Sequence, residues 1–391
     1  MGAVPLSVLD LVPRPSASDT ATVLRNTVDL VRSVEQLGYA RYWFAEHHLN
    51  PGILGSSPAV QIALVASATS SIRLGSAGVQ FGHRTPLATV EEFGLIDALY
   101  PGRLDLGIGR SISRPAPSPA APETRGSAEI AVEKYLSARG GADHSEDTHT
   151  SNGLLIPRQF ELRSSLPDDL IDSLVNLLQQ PGAYAPSYEE QIETTLALLR
   201  GTLAAPSGRA LRASPGEGAD VQLWILGASG GGSATVAGAR GLRFVASYHH
   251  SPSTLIDAVD AYRSAFVPSA DVPEPYVAVS VDAVVAETDG AAEVLASGYA
   301  PWVRSIRRGD FAIEYPSPAE AAALEWTDDD RQLVRDRVLA QFVGSPKTVA
   351  DKLEQLRDAT DAAEIAITSI THDHAARVRS YELIAREWAA R

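Results

Sequence analysis

Cysteine is absent from the 391 residues. That excludes disulfides, thiolate nucleophiles and Cys-ligated zinc or iron–sulfur centres. Positive charge is scarce, with 33 Lys and Arg against 48 Asp and Glu and a formal net charge of −15. A general nucleic-acid binder carries a basic footprint, so that class is set aside. No apolar run reaches the roughly 18 residues of a membrane span. The N-terminus lacks the basic segment and apolar run of a signal peptide. The expectation is a soluble cytoplasmic protein with no nucleic-acid or membrane partner. Apolar residues make up 45% of the chain, enough for a large core. A (β/α)8 barrel takes about 250 residues, and more than 400 with insertions. Length alone therefore does not separate one decorated barrel from two ordinary domains.

What is present follows a rhythm. Residues 4–11 read as a short apolar strand closed by Pro13 and Pro15. Val23, Thr27, Leu30, Val31, Val34 and Leu37 then recur at helical spacing, with Ser18 or Asp19 to cap the start and Gly38 at the end. Strands are expected at 40–45, 72–79 and 103–109, with helices at 57–70 and 86–99 between them. Short connections between alternating strands and helices mean βαβ units and a parallel sheet. The rhythm stops at 111–150, where Pro115, Pro117, Pro119 and Pro122 forbid a regular helix, and a short helix is expected only at 127–138. Helices follow at 166–178 and 187–203, then strands at 221–226, 242–247 and 275–285 with helices to about 239 and at 252–266. Helices at 329–342 and 346–359, a strand at 362–368 and a helix at 375–390 end the chain. Eight strands interleaved with helices is the count of a (β/α)8 barrel. The expected fold is a single α/β domain over 1–391, a TIM barrel with insertions after strand 4 and between strands 7 and 8.

In such a barrel the active site lies at the C-terminal ends of the strands. Glu46, His47 and His48 follow strand two. A carboxylate beside paired imidazoles suits acid–base work, since histidine changes charge near neutral pH; a merely hydrogen-bonded polar loop is the alternative. A metal site would need further ligands, for which His83, His249 and His250 are available, but no tight ligand spacing supports one. Gly75 to Gly78, after strand three, either admit a flat ligand or serve tight strand packing. Gly109 and Arg110 follow strand four, and an arginine there can hold a phosphate or pair with a structural carboxylate. Gly227, Ala228, Ser229 and Gly230 lead from strand five into a helix, where backbone N–H groups bind phosphate well; a flexible turn with a serine cap is the alternative. Tyr248, His249 and His250 follow strand six. Convergence of these groups on one rim describes a flat, phosphorylated cofactor in a barrel mouth.

The segment Trp43-Phe44-Ala45-Glu46-His47-His48 resembles the Glu-His-His segment of bacterial luciferase-like monooxygenases. Leu74 to Val79, Thr85-Pro86-Leu87, Leu99 to Arg110, Trp224 to Ser229, Val343-Gly344-Ser345-Pro346 and Thr371 to His374 with Arg377, Ser380 and Tyr381 match in order. The resemblance covers about 4–110 and 221–391 and is specific to the superfamily. It implies a flavin-dependent monooxygenase using reduced FMN, supplied by a separate flavin reductase, and O2. Oxygen adding at flavin C4a gives a peroxide that oxidises an aldehyde or other small organic substrate. His47 matches the family's catalytic histidine, with Glu46 and His48 beside it. Ala77 and Gly78 match a non-prolyl cis peptide beside the flavin ring. Gly109 stands where luciferase has a cysteine, Arg110 matches a flavin-contacting arginine, and Gly227 to Gly230 match the phosphate loop. No residue is expected to ligate a metal.

Residues 111–220 do not align with the family pattern and are expected to form an insertion that covers substrate. Two alternatives stand beside the monooxygenase: hydride transfer with the deazaflavin F420, and a flavin-binding protein without turnover. The absence of an NAD(P)H fingerprint suits a two-component enzyme. Related enzymes are often dimers, and an apolar face on the early helices would suit a homodimer.

Overall fold

The computed structural model describes residues 3–111, 113–114, 144–160 and 168–391. The proline-rich run and the helix expected at 127–138 lie outside the described residues. In chain order the described strands are β1 (Leu6–Asp10), β2 (Arg41–Phe44), β3 (Arg73–Ser76), β4 (Val79–Gln80), β5 (Leu104–Gly109), β6 (Thr148–His149), β7 (Leu155–Ile156), β8 (Val221–Gly227), β9 (Arg243–Ser247), β10 (Val277–Val285), β11 (Phe342–Gly344) and β12 (Glu364–Thr368). The helices are α1 (Thr20–Gln36), α2 (Pro58–Ala66), α3 (Pro86–Asp97), α4 (Asp168–Leu178), α5 (Tyr188–Leu199), α6 (Gly232–Ala239), α7 (Leu255–Ala265), α8 (Asp289–Ala296), α9 (Tyr299–Arg308), α10 (Pro318–Ala322), α11 (Asp328–Ala340), α12 (Pro346–Thr360) and α13 (His374–Ala389).

β1, β2, β3, β5, β8, β9, β10 and β12 pair in parallel in that order, and β12 returns to β1, so the sheet closes as a (β/α)8 barrel. The eight strands expected from sequence are these eight. Most of their residues are buried on both faces, which is why they read as apolar runs rather than alternations. Leu9, Trp43, Trp224, Val245, Ala278 and Ala366 pack in one cluster inside the ring, with the two indoles edge to face at 4.9 Å. Leu9 and Val245 each contribute about 1.5–3 kcal/mol by leaving water. Nearer the strand starts, Arg41 bridges Asp105 at 2.8 Å and Glu364 at 3.0 Å, and Trp43 donates to Asp105 at 2.9 Å. This plug closes the floor of the barrel and leaves the opposite end open for a site.

Three readings are corrected. The strand expected at 72–79 is divided into β3 and β4, and the second piece, β4, pairs with β5. The helix expected at 329–342 stops at Ala340, because Phe342–Gly344 is recruited as a strand beside β10. The helix expected at 187–203 ends at Leu199, ahead of Gly201 at φ +64°. The insertion before the last strand is helical, with α8, α9 and α10 in a stretch where sequence spacing points to no element. α9 is short and carries Arg304, Arg307 and Arg308, so its apolar stripe is too brief to stand out.

Candidate active site

The open end of the barrel holds a cavity of about 330 Å³. His47, Glu46, Ala77, Gly78, Gly109, Arg110, Gly227, Ala228 and Ser229 all line it. Of the sequence-derived site residues, His48 and Gly230 are not among its lining. A Cβ on Gly230 would sit 3.0 Å from the Asp257 carbonyl, so this glycine serves loop packing. The same test separates the other glycines. A Cβ on Gly107 would fall 2.0 Å from the Ser76 carbonyl oxygen, and one on Gly78 2.8 Å from that of Gly107. Those residues let strands approach one another. At Gly109 the nearest atom is 4.0 Å away, so its missing side chain leaves room in the cavity itself.

Glu46 is engaged by its neighbours on both carboxylate oxygens. Its Oε1 accepts from Arg84 Nε at 2.7 Å and lies 3.0 Å from His48 Nε2 and 3.3 Å from His83 Nε2. Its Oε2 accepts from the Gln80 N–H at 2.9 Å, and its backbone carbonyl accepts from Gln80 Nε2 at 2.6 Å. Burial pushes the carboxyl up, but the bonds from His48, His83, Arg84 and Gln80 hold it well below the usual carboxylate range. It stays ionised and ties the β2 loop to β4. Glu46, His48 and His83 bring three potential ligand atoms within 4.8 Å; the Arg84 guanidinium already supplies the cation there.

His47 enters the cavity from the same loop, with its N–H bonded to the Gly55 carbonyl at 2.6 Å. Burial, with His48 adding to it, lowers the ring to about 4, so it is neutral at pH 7. Its Nδ1 is shielded from solvent and has no partner among the described residues. Such a nitrogen is a group that a bound ligand or a water could satisfy. His249, from the end of β9, sits across the cavity with Nδ1 2.7 Å from Ser280 Oγ. Burial, then Arg337 and His47, lower it to about 3. Both rings are thus proton-poor at neutral pH.

The strand-four and strand-five ends fit a phosphate. α6 begins at Gly232 with Gly231 as its N-cap and no side chain capping it, and the first N–H groups of a helix have no partner within the helix. A Cβ on Gly232 would be 3.8 Å from Arg110 Nη1, which places that guanidinium at the helix start. Ser229 and Ser233 line the cavity beside it. An arginine, two hydroxyls and a helix N-terminus form a donor set suited to a dianion. With the orphaned His47 nitrogen, the residues present fit a phosphorylated flavin.

Several lining residues carry no signal in the sequence. Arg337 projects from α11, and Trp302 and Ile306 from α9. Arg337 reads as an ordinary helix-surface arginine until the insertion folds back over the barrel. Gln159 and Phe160, from the unaligned region, line a side opening with Ser229, Arg307 and Arg337. The motif at Thr371 to Tyr381 lies elsewhere. Asp373 caps α13, Arg377 pairs with Asp10 at 2.6 Å, and Ser380 accepts from the Val285 N–H at 2.9 Å. These residues close the barrel.

The chain matches the model of the luciferase-like monooxygenase family over residues 4–122 and 180–363. It is 33% identical to the uncharacterized protein YvbT of Bacillus subtilis over 386 residues, covering 99% of this chain and 97% of the relative. It is 30% identical to a luciferase-like monooxygenase of Escherichia coli K12 over 380 residues, covering 97% and 96%. Among solved structures, apo-MsnO8 superposes with a TM-score of 0.75 at 29% identity, covering 99% of this chain and 98% of that one. More distant structures share the fold alone. They include the oxygenating constituent of a Pseudomonas putida diketocamphane monooxygenase in complex with FMN (TM-score 0.58, 19% identity, 99% and 98% covered) and a coenzyme F420-dependent reductase of Methanopyrus kandleri (TM-score 0.55, 16% identity, 99% and 98% covered).

Proposed function

The chain belongs to the luciferase-like monooxygenase family, and we propose that it binds reduced FMN and uses O2 to oxidise an aldehyde or other small organic substrate. The observation that carries this reading is that His47, whose buried Nδ1 has no partner among the described residues, lines the same cavity as Arg110, Ser229 and Ser233. Arg110, Ser229, Ser233 and the first N–H groups of α6 would hold the phosphate. Ala77, Gly78 and Gly109 would border the ring system. When bound, reduced FMN supplies the two electrons that activate O2.

The chain's own residues supply proton handling and shelter. His47, neutral at pH 7, can accept a proton at its free nitrogen or, in the other tautomer, donate one. Glu46 keeps the His47 loop in register through Arg84 and Gln80. Leu9, Leu11, Ile53, Trp302 and Ile306 give the cavity an apolar wall that excludes water. Gln159 and Phe160 border an adjoining opening that shares Ala228, Ser229 and Arg337 with the cavity, which favours a substrate-covering role for residues 111–220. The FMN reading is favoured over F420 because the relative near 30% identity with a printed activity is a monooxygenase, whereas the F420-dependent structure shares fold alone.

Two partners belong to the proposal. A separate reductase would supply the reduced flavin, since the sequence carries no dinucleotide fingerprint. A second copy of the chain would cover Val60 and Leu64 of α2, Leu87 and Leu95 of the neighbouring α3, and Leu99 just after it, all exposed. No described helix is long and apolar enough to cross a membrane.

Anaerobic titration with reduced FMN and, in parallel, reduced F420, followed by air and an aldehyde, tests the cofactor. The expected result is saturable FMN binding and transfer of label from 18O2 into the product. Saturable F420 binding without oxygen uptake would replace the reading with hydride transfer. Binding of both flavin types without turnover of any substrate, in wild type and His47→Ala alike, would favour a flavin carrier.

A further inference from the structure

The cavity lining holds more basic than acidic side chains in an acidic protein. Its lining contains two arginines, Arg110 and Arg337, and one carboxylate, Glu46. That carboxylate is already bonded to Arg84 at 2.7 Å, and the chain as a whole carries −15. His47 and His249 add no positive charge at neutral pH. The two arginines approach from different parts of the rim. Arg110 follows β5 and stands at the start of α6. Arg337 comes from α11 and is held by groups of α9 and β10. A phosphorylated cofactor accounts for the first and leaves the second without a role.

Arg337 is fixed in place by buried partners. The Tyr299 hydroxyl donates to Asp282 Oδ2 at 2.5 Å, and its oxygen accepts from Arg337 Nε at 3.2 Å and Nη2 at 2.9 Å. Asp282 Oδ2 itself lies 3.7 Å from Nη2. Tyr299 and Asp282 are 1% and 3% exposed, so this support cannot swing away into solvent. Nη1 makes no hydrogen bond among the described residues. Trp302 and Ile306, one and two turns along α9 from Tyr299, line the same cavity as apolar surfaces. A guanidinium with one side braced and the other side facing a cavity is a preorganised anion anchor, because little further ordering is needed when the anion arrives.

We propose that Arg337 anchors an anionic substrate, a small organic molecule that carries a carboxylate and an apolar chain. The carboxylate accepts from Nη1, and the chain packs against Trp302 and Ile306. This assignment rests on the cavity being the flavin site proposed above. A charge-assisted hydrogen bond in such a setting is worth about tenfold to hundredfold in affinity. Arg337 would then decide which molecules are oxidised, while Arg110 serves the cofactor. The shared chemistry is an oxyanion on a guanidinium, so the cofactor phosphate is the competing occupant that the experiment must separate.

The experiment is isothermal titration of the FMN-loaded protein with hexanoate and with hexanamide, which match in shape and differ in charge. Wild type is expected to bind hexanoate at least about tenfold more tightly than hexanamide. Arg337→Gln is expected to erase that ratio while FMN affinity stays within about threefold of wild type, and Arg337→Lys to retain part of the ratio. Equal affinity of wild type for acid and amide overturns the proposal, and this comparison requires no variant to fold. Loss of FMN binding in Arg337→Gln, with the acid preference kept, also overturns it and gives the arginine to the cofactor. If wild type binds no FMN, the flavin reading fails, and titrating the acid and amide into the unloaded protein still decides whether Arg337 holds a carboxylate.

Discussion

Arg377 Nη2 lies 2.6 Å from Asp10 Oδ1, joining the last helix to the first strand across nearly the whole chain. Both groups are buried, and Asp10 also accepts from the Val12 N–H at 2.8 Å and from the Tyr42 hydroxyl. Arg377 in turn donates to the Ser369 carbonyl at 2.7 Å. The pair therefore seals the seam where β12 meets β1.

Removing one partner leaves the other charged and buried. Asp10→Asn is expected to lower unfolding stability by about 3–5 kcal/mol. Urea denaturation of wild type and variant measures it. Because the seam is remote from Arg110, FMN affinity of the folded fraction should be unchanged. A loss under about 1 kcal/mol would show that the seam is held by strand pairing instead.

Glu46→Gln removes the acceptor shared by Arg84, His48 and His83. The expected cost is about 2–4 kcal/mol, because Arg84 loses its buried partner while the amide keeps the Gln80 bond. The folded carboxyl sits below its ordinary range, so its contribution is present above the unfolded value near 4.5 and is lost as pH falls through the folded one. The stability difference between wild type and variant, followed from pH 7 down to 3, should therefore shrink at the acid end.

His47 and His249 also cost stability in acid, through burial of their neutral rings. Their folded values are about 4 and about 3, below the ordinary 6.5. Between those limits the unfolded chain binds more protons, so stability falls as pH drops from about 6.5 toward 4. The slope attributable to His47 is on the order of 1–3 kcal/mol over that window. His47→Gln should flatten the curve by that amount, read from denaturation midpoints at pH 7, 6, 5 and 4. An unchanged slope would mean that the imidazole is not desolvated.

Arg110→Ala is expected to weaken reduced FMN binding by about tenfold to hundredfold, the worth of a charge-assisted bond to phosphate. Riboflavin, which lacks the phosphate, should bind wild type and variant alike. Equal losses for both ligands would place Arg110 against the ring instead of the phosphate.

The same residues show what can be read along a chain and what cannot. Strand positions, the Glu46-His47-His48 rim and the Gly227 loop are local signals, because parallel strands and helix starts impose residue types on short windows. Gly107 and Gly109 are two residues apart and look alike in sequence. Only the fold shows that the first serves contact with Ser76 and the second leaves cavity space. Glu46 and His47 likewise look like one acid–base pair. The structure bonds Glu46 to Arg84 and leaves the buried His47 Nδ1 without a partner among the described residues.

By itself the sequence determined the barrel, its eight strands, the rim that carries the site and the family to which the chain belongs. Those follow from periodicity and from motifs that lie within a few residues of one another. Tertiary structure alone decided which polar groups are spent on the scaffold and which face the cavity. It also brought Arg337 to Tyr299 and Asp282, from an insertion helix whose surface arginines are indistinguishable in sequence. The physical reason is that burial and partnership belong to groups brought together across tens to hundreds of residues, and no local pattern records them.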